Sequence, residues 1–276
     1  MIIRLLDTET TGVDENDMIV QLAWVDCILV NNKFIPIESQ EHIVFQDVKI
    51  KEGVPHKITD EIVCNYGKTW QEIITLWNKN INPFEDFVFI AHNASFDVKM
   101  LKKIGIDLEN EKVLDTYKQF PWKNATKLSY ICADFGILVC DAHQALIDVM
   151  AMISLMNKQD ILSNETFISY AYKTPIIFVS ILPFEKKDEA KERGYSWNDE
   201  FKIYEKKVYE DSYIHLEWEK KLINEKPVNL ISLLPFDKKE QAKEKGYKWN
   251  CASKSWEKFN FRLYEGYEIE KWEKKI

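Results

Sequence analysis

The sequence predicts a mixed α/β domain, a five-stranded sheet flanked by helices, followed by a tandem repeat of two small α+β units. Three observations carry that prediction. Apolar residues in the first 160 positions switch between a two-residue period and a helical one. Three strand-like runs come first, and strand–helix pairs follow. After position 175 a block of about fifty residues occurs twice, with Pro, Gly and Trp in matching places.

The elements read in order as follows. "IIRLL" is a strand. "IVQLAWVDCILV" and "FIPIESQEHIVFQ" are two long strands, and the "NNK" between them is a hairpin turn. "TWQEIITLWNKNI" places Trp70, Ile73, Ile74 and Trp77 on one helical stripe. "FVFIAH" is a short strand, and "NASFDVKMLKKIG" is a helix stopped by Gly105. "KVLDTY" is the fifth strand, and helices are expected at about 126–135 and 143–158.

In the second part, "VSILPFEKKDEAKERGYSWN" from Val179 returns as "ISLLPFDKKEQAKEKGYKWN" from Ile231. Pro183 and Pro235, Gly194 and Gly246, and Trp197 and Trp249 correspond. Each copy reads as strand, Pro-Phe turn, charged helix, Gly stop, then one or two aromatic strands. "EWEKKL" at 217 is echoed by "KWEKKI" at 271. The expected boundaries are 1–163 for the first domain, 164–175 for a linker, 176–225 for one repeat and 226–276 for the other.

The chain has 276 residues and a net charge of −8. Residues 1–174 hold 16 Lys and Arg against 25 Asp and Glu; residues 175–276 hold 21 against 20. The acidity therefore belongs to the first part, which does not attract phosphate backbones by its bulk field. Local basic groups or metal ions must do so if it handles nucleic acid. The five cysteines form no C-x-x-C pair, so no structural zinc site is expected, and they read as reduced thiols of a cytoplasmic protein. The start, "MIIRLLDTE", is broken by Arg4 and Asp7 and does not read as a signal peptide. No apolar run is long enough for a membrane span.

Four carboxylates stand in unfavourable places. Asp7 and Glu9 lie two apart on a strand, so they project to one face, with Thr8 on the other. Asp97 shares a helical stripe with Met100, Leu101 and Ile104. Asp148 shares one with Ala145, Ala151, Met152 and Leu155. A buried, unpaired carboxylate is costly. Either these are boundary residues with their tips in water, or they form a ligand set for Mg²⁺ or Mn²⁺. His143 opens the last helix. It lies about 140° around the helix from Asp148, so the two share a site only if His143 sits at the extreme start or in the loop before it. Asp141 and Gln144 read as a capping pair there. Asp115 reads as structural, at a strand end.

"DTETTG" at 7–12, "HNASFD" at 92–97 and "HQALID" at 143–148 resemble the three motifs of the DEDDh (DnaQ-like, polymerase III epsilon-type) 3′–5′ exonucleases. The resemblance covers about residues 1–160 and extends to "VPHKITDE", "VLDT" and "KLSYICADFGI". It implies an RNase H-like fold and two bound ions, Mg²⁺ or Mn²⁺. It implies Asp7, Glu9, Asp97 and Asp148 as metal ligands and His143 as the base that deprotonates the attacking water. The partner it implies is nucleic acid with a free 3′ end, DNA first, cut to nucleoside 5′-monophosphates. Thr10, Gly12, His56, Ile58 and Asn93 would lie near the terminal nucleotide, and Lys57 stands where the family carries glycine. RNA trimming and a non-catalytic adaptor role are the alternatives, and the oligomeric state is open.

The repeats resemble a small domain of unknown function from bacteria, phages and mobile elements. Two readings stand. Trp and Tyr stack on bases while Lys186, Lys187, Lys238 and Lys239 meet phosphates. Alternatively, Trp197 and Trp249 fill small cores and the lysines solvate a helix. Docking of a protein partner is equally open.

Overall fold

The computed structural model describes all residues except 80, 82–84, 123–126, 210–214, 224–226, 236–237 and 276. The chain divides into two compact units, Met1–Lys173 and Thr174–Ile276. Among the described residues no helix is long and apolar enough to cross a membrane.

In the first unit, β1 (Ile2–Thr10), β2 (Ile19–Val30) and β3 (Lys33–Ile43) form an antiparallel meander. The hairpin between β2 and β3 turns on Asn31 and Asn32, both at positive φ (49° and 61°). A two-residue turn that matches the strand twist requires this, and Asn tolerates it. β4 (Phe87–Ala91) then pairs parallel with β1, and β5 (Val113–Asp115) parallel with β4. The sheet order is β3-β2-β1-β4-β5, an RNase H-like arrangement.

The pleat divides the side chains. Leu6, Leu22, Trp24, Phe87 and Phe89 pack with α2 (Trp70–Asn78) and α3 (Ala94–Lys103). Residues of the other parity turn toward α5 (Ala145–Lys158), which crosses β1, β2 and β3. α1 (Asp60–Tyr66) follows β3, and α4 (Leu128–Asp134) packs on α5 through Ile131, Cys132, Ala151 and Leu155.

Arg4, which interrupts the first apolar run, is fully buried in this core. Its guanidinium donates twice to Asp26, at 2.7 and 2.8 Å, and once to the Trp77 carbonyl at 2.8 Å. It lies 5.3 Å from the Trp24 ring and 4.6 Å from the Trp77 ring. Removing one partner of a buried pair strands the other charge. Asp26→Ala is therefore expected to destabilise the first unit by about 3–5 kcal/mol, read from urea unfolding. An effect under about 1 kcal/mol would show that Arg4 finds another anion or water.

The segment 164–175, expected as a linker, belongs mostly to the first unit. Residues Asn164–Ser169 form α6, capped by Ser163, and one 3₁₀ turn follows at Tyr170–Tyr172. Phe167, Ile168 and Tyr170 are buried, and Phe167 meets Phe120 at 5.4 Å between rings. A six-residue helix is too short to declare its period, and its partner lies 47 positions away.

The second unit holds two copies of one sheet. In the first copy β6 (Ile176–Ser180), α7 (Lys187–Glu192), β7 (Ser196–Asn198), β8 (Ile203–Val208) and β9 (Glu219–Lys221) give the order β7-β8-β6-β9. In the second, β10 (Val228–Ser232), α8 (Lys239–Glu244), β11 (Lys248–Asn250), β12 (Ser255–Phe261) and β13 (Glu273–Lys275) give β11-β12-β10-β13. The "WEKK" echo supplies the closing strand in both, a fourth strand beyond the expected count.

Gly194 and Gly246 end the short helices at φ 88° and 84°, as the stop signal predicts. The equivalence reaches single atoms. Lys206 donates to the Arg193 carbonyl and Lys258 to that of Lys245, each at 2.8 Å. Arg193 and Lys245 in turn pair with the buried Glu219 and Glu273.

Trp197 and Trp249 do not fill these cores. Phe178, Ala190, Tyr195 and Val208 fill one, and Leu230, Ala242, Tyr247 and Trp256 fill the other. Trp197 and Trp249 lie on edge strands, 41% and 38% exposed. Lys186, Lys238 and Lys239 are exposed, and Lys187 lies 4.7 Å over the Phe184 ring. The expected 225/226 boundary falls outside the described residues.

Candidate active site

The site is built around the last turn of β1. Asp7 and Glu9 project to one face, opposite Ala23 and Gln21 of β2. A register shift between Glu9 and Thr10 ends the regular pairing there. Thr8 points the other way, as the pleat dictates, and it is not idle. Its hydroxyl donates to Asp97 Oδ1 at 2.7 Å, and both residues are buried. Asp97 lies in the first turn of α3. The acids thus approach the end of β1 from both faces of the sheet.

The turn from β4 into α3 passes through Asn93, in the left-handed region at φ 72° and exposed. Asp115 at the end of β5 accepts from the backbone N–H of Asn93 (3.0 Å) and of Tyr117 (2.9 Å). Through these bonds Asp115 ties the β4–α3 turn to the end of β5.

α5 begins at Ala145, two residues later than expected, and its N-cap position is Gln144. Gln144 makes no side-chain cap, and Asp141 is not a cap either. Asp141 has φ 55° and forms an exposed ion pair with Lys57 at 2.6 Å. His143 sits in the preceding loop at φ 69°. That backbone conformation costs a non-glycine residue about 1 kcal/mol or more, and it removes the angular conflict with Asp148. Asp148 Oδ2 accepts from the His143 backbone N–H at 2.9 Å. Ligand atoms of Glu9, His143 and Asp148 all lie within 4.8 Å of one another. Asp7 and Asp97 fall outside that closest group and act on it through charge.

Burial sets the electrostatics first. It holds Asp7 well above the carboxylate range, and repulsion by Asp97, Asp148 and Glu9 adds to it. Burial, then Asp148 and Asp97, push Glu9 up to about 7. Burial raises Asp97 to about 7 despite the Thr8 hydrogen bond. Asp148 is raised by burial and pulled back by the His143 N–H. Among the described residues no Lys or Arg pairs with any of the four. Uncompensated carboxylates beside an imidazole fit a hard divalent cation, and Glu9, His143 and Asp148 can hold one.

Of the residues expected on the nucleotide side, Thr10, Gly12, His56 and Ile58 are linked at the same strand end, while Asn93 lies in the β4–α3 turn. The Thr10 hydroxyl donates to the Gly12 carbonyl. A Cβ on Gly12 would lie 2.6 Å from Asp17 Oδ2 and 2.8 Å from Lys51 Cδ, so a larger residue would have to displace that Asp17–Lys51 pair. His56 is buried. Its Nδ1 accepts from the Ile58 N–H (3.3 Å), leaving Nε2 to donate to the Thr10 carbonyl (2.8 Å). Both ring nitrogens are thus spent inside the protein. His56 braces the 51–58 loop against β1, and Ile58 is half-buried beside it.

Two residues that position the acids were missed. Thr8 orients Asp97. Gln21, buried and across from Glu9, accepts from the Ala145 N–H at 3.0 Å and donates to Glu41 at 3.0 Å. It pins the start of α5, and so His143 and Asp148, to the strand beside Glu9. Its signal was a lone amide in the apolar run "IVQLAW", on the face shared with Glu9.

Comparison with known proteins agrees with this geometry. The exonuclease family that includes RNase T matches residues 5–156. The DNA polymerase III epsilon subunit of Treponema pallidum is 30% identical over 165 residues, covering 54% of this chain and 72% of that protein. A PolC-type DNA polymerase III of Clostridium perfringens is 28% identical over 166 residues, 55% of this chain and only 11% of that protein. In structure, exonuclease I of E. coli, solved with single-stranded DNA, superposes with a TM-score of 0.52 over 65% of this chain and 48% of that one. At 17% identity this speaks to fold alone. More than half of the residues fall inside the family match, and the chain belongs to the DEDDh-type (DnaQ-like) 3′–5′ exonucleases.

Proposed function

We propose that the first unit removes nucleotides one at a time from the 3′ end of DNA and releases nucleoside 5′-monophosphates. The observation that supports this most is the set of four acids held in mutual repulsion beside His143. Such a set is poor for stability and suited to gripping cations. Asp7, Glu9, Asp97 and Asp148 would hold two Mg²⁺ or Mn²⁺ ions. When bound, two such ions supply charge stabilisation for the attacking and leaving oxygens of an in-line displacement.

The chain's own residues do the rest. His143 takes the proton of the attacking water, from a loop that presents its ring at the cluster. Asp148 fixes that loop through the His143 N–H. Thr8 holds Asp97, and Gln21 holds the start of α5. The Thr10–Gly12 turn, braced by His56, shapes the wall for the terminal nucleotide, with Ile58 and Asn93 at its margins. DNA as substrate is supported by the relatives among the DNA polymerase III proteins.

End-labelled DNA and RNA oligomers, incubated with the protein and Mg²⁺ or Mn²⁺, test this. The expected result is a ladder of shortened DNA, with RNA cut more slowly. A ladder from RNA alone would reassign the substrate. No ladder in either metal would sink the proposal.

A further inference from the structure

The two copies in the second unit share a fold and differ in charge. Residues 175–225 carry nine Lys and Arg against twelve Asp and Glu, and residues 226–276 carry twelve against eight. The difference is sharpest at one hairpin. In the first copy the β7–β8 turn contains Asp199 and Glu200. Asp199 accepts from Trp197 Nε1 at 3.3 Å and from Lys202 Nζ at 2.7 Å. The exposed indole is thus edged by an anion that also neutralises the neighbouring lysine.

In the second copy those two acids are replaced by Cys251 and Ala252, while Lys254 keeps the place of Lys202. The acid that remains near the turn, Glu257, is 6% exposed. It accepts from Asn250 and Ser255, each at 2.7 Å, and from Ser253. Trp249 stays 38% exposed and meets the buried Trp256 in an edge-type ring contact at 5.4 Å. Lys248 and Lys254 are both exposed.

We infer that the β11–β12 hairpin of the second copy docks single-stranded DNA, and that its counterpart in the first copy does not. The exposed part of the Trp249 ring meets a base, and Lys248 and Lys254 meet the flanking phosphates. Stacking of this kind tolerates any base, as an enzyme that shortens a strand step by step requires. The first unit is acidic and draws in no strand by its own field. A basic site on the same chain raises the local concentration of strand around it. The inference rests on the proposed exonuclease reading only for the choice of DNA.

The full-length chain carrying Asp7→Asn, mixed with a fluorescent circle of single-stranded DNA, tests the site by anisotropy. A circle has no 3′ end, so the hairpin is read apart from the exonuclease chemistry. Trp249→Ala is expected to weaken binding about ten-fold, and Trp249→Phe to restore most of it. Lys254→Glu, in an exposed turn, is expected to weaken binding and flatten its salt dependence. Trp197→Ala is expected to leave binding unchanged. The inference fails if the circle does not bind, if Trp197→Ala weakens binding as much as Trp249→Ala, or if an RNA circle binds more tightly.

Discussion

Stripped of divalent metal, the first unit is expected to lose stability as the pH rises from about 4 to about 7, and Asp7→Asn to restore part of it while abolishing cleavage. Glu9 and Asp97 carry folded-state values raised to about 7 from ordinary values of 4.5 and 3.8. The folded state therefore holds protons that the unfolded chain has released. Stability is full below the unfolded values and drains away as pH passes through the folded ones. Glu9 alone accounts for about 3 kcal/mol across that window.

A bound divalent cation replaces the protons, so added Mg²⁺ or Mn²⁺ should raise the melting temperature most near neutral pH. Asp7→Asn removes the carboxyl whose ionisation burial and its acidic neighbours oppose, so the metal-free variant should melt above the wild type at pH 7.5. Its cleavage rate should fall by about a thousand-fold or more. Calorimetry across pH, with and without metal, checks this. A metal-free melting temperature that is flat from pH 4 to 7 would show that the four acids are solvated and not under strain.

His143→Ala is expected to lower kcat by about 10²–10⁴-fold, with little change in KM. The geometry allows a sharper question. His143 lies within ligand distance of Glu9 and Asp148, so it is placed either to hold a cation or to take a proton. If it is the base, His143→Ala loses turnover and keeps the metal-dependent rise in melting temperature. If it is a ligand, both are lost together. Loss of both would move His143 from base to metal site and leave the proton acceptor unassigned.

Much of the catalytic architecture was legible in short stretches. The parity of Asp7 and Glu9 follows from a strand's two-residue period. The stripes holding Asp97 and Asp148 follow from a helix's 3.6. The Asn31–Asn32 hairpin and the helix stops at Gly194 and Gly246 are local turn chemistry. In each case the cause lies within a few residues of the effect.

The tertiary structure decided what those side chains meet. Parity alone turned Thr8 away from the acids, yet an 89-residue excursion brings Asp97 to the Thr8 side of the sheet. Helical arithmetic posed the conflict between His143 and Asp148, and a left-handed loop residue resolved it. Asp141 looked like a cap and is half of an ion pair with Lys57, 84 positions away. Phe167 turned an expected linker into a helix because Phe120 lies where it can be covered. Trp197 and Trp249 could be read as core fillers or as exposed platforms, and they stay partly exposed because other side chains take the core. Periods and turns are properties of a short segment and can be read from it. Burial and pairing depend on which distant surfaces arrive, and only the assembled chain determines that.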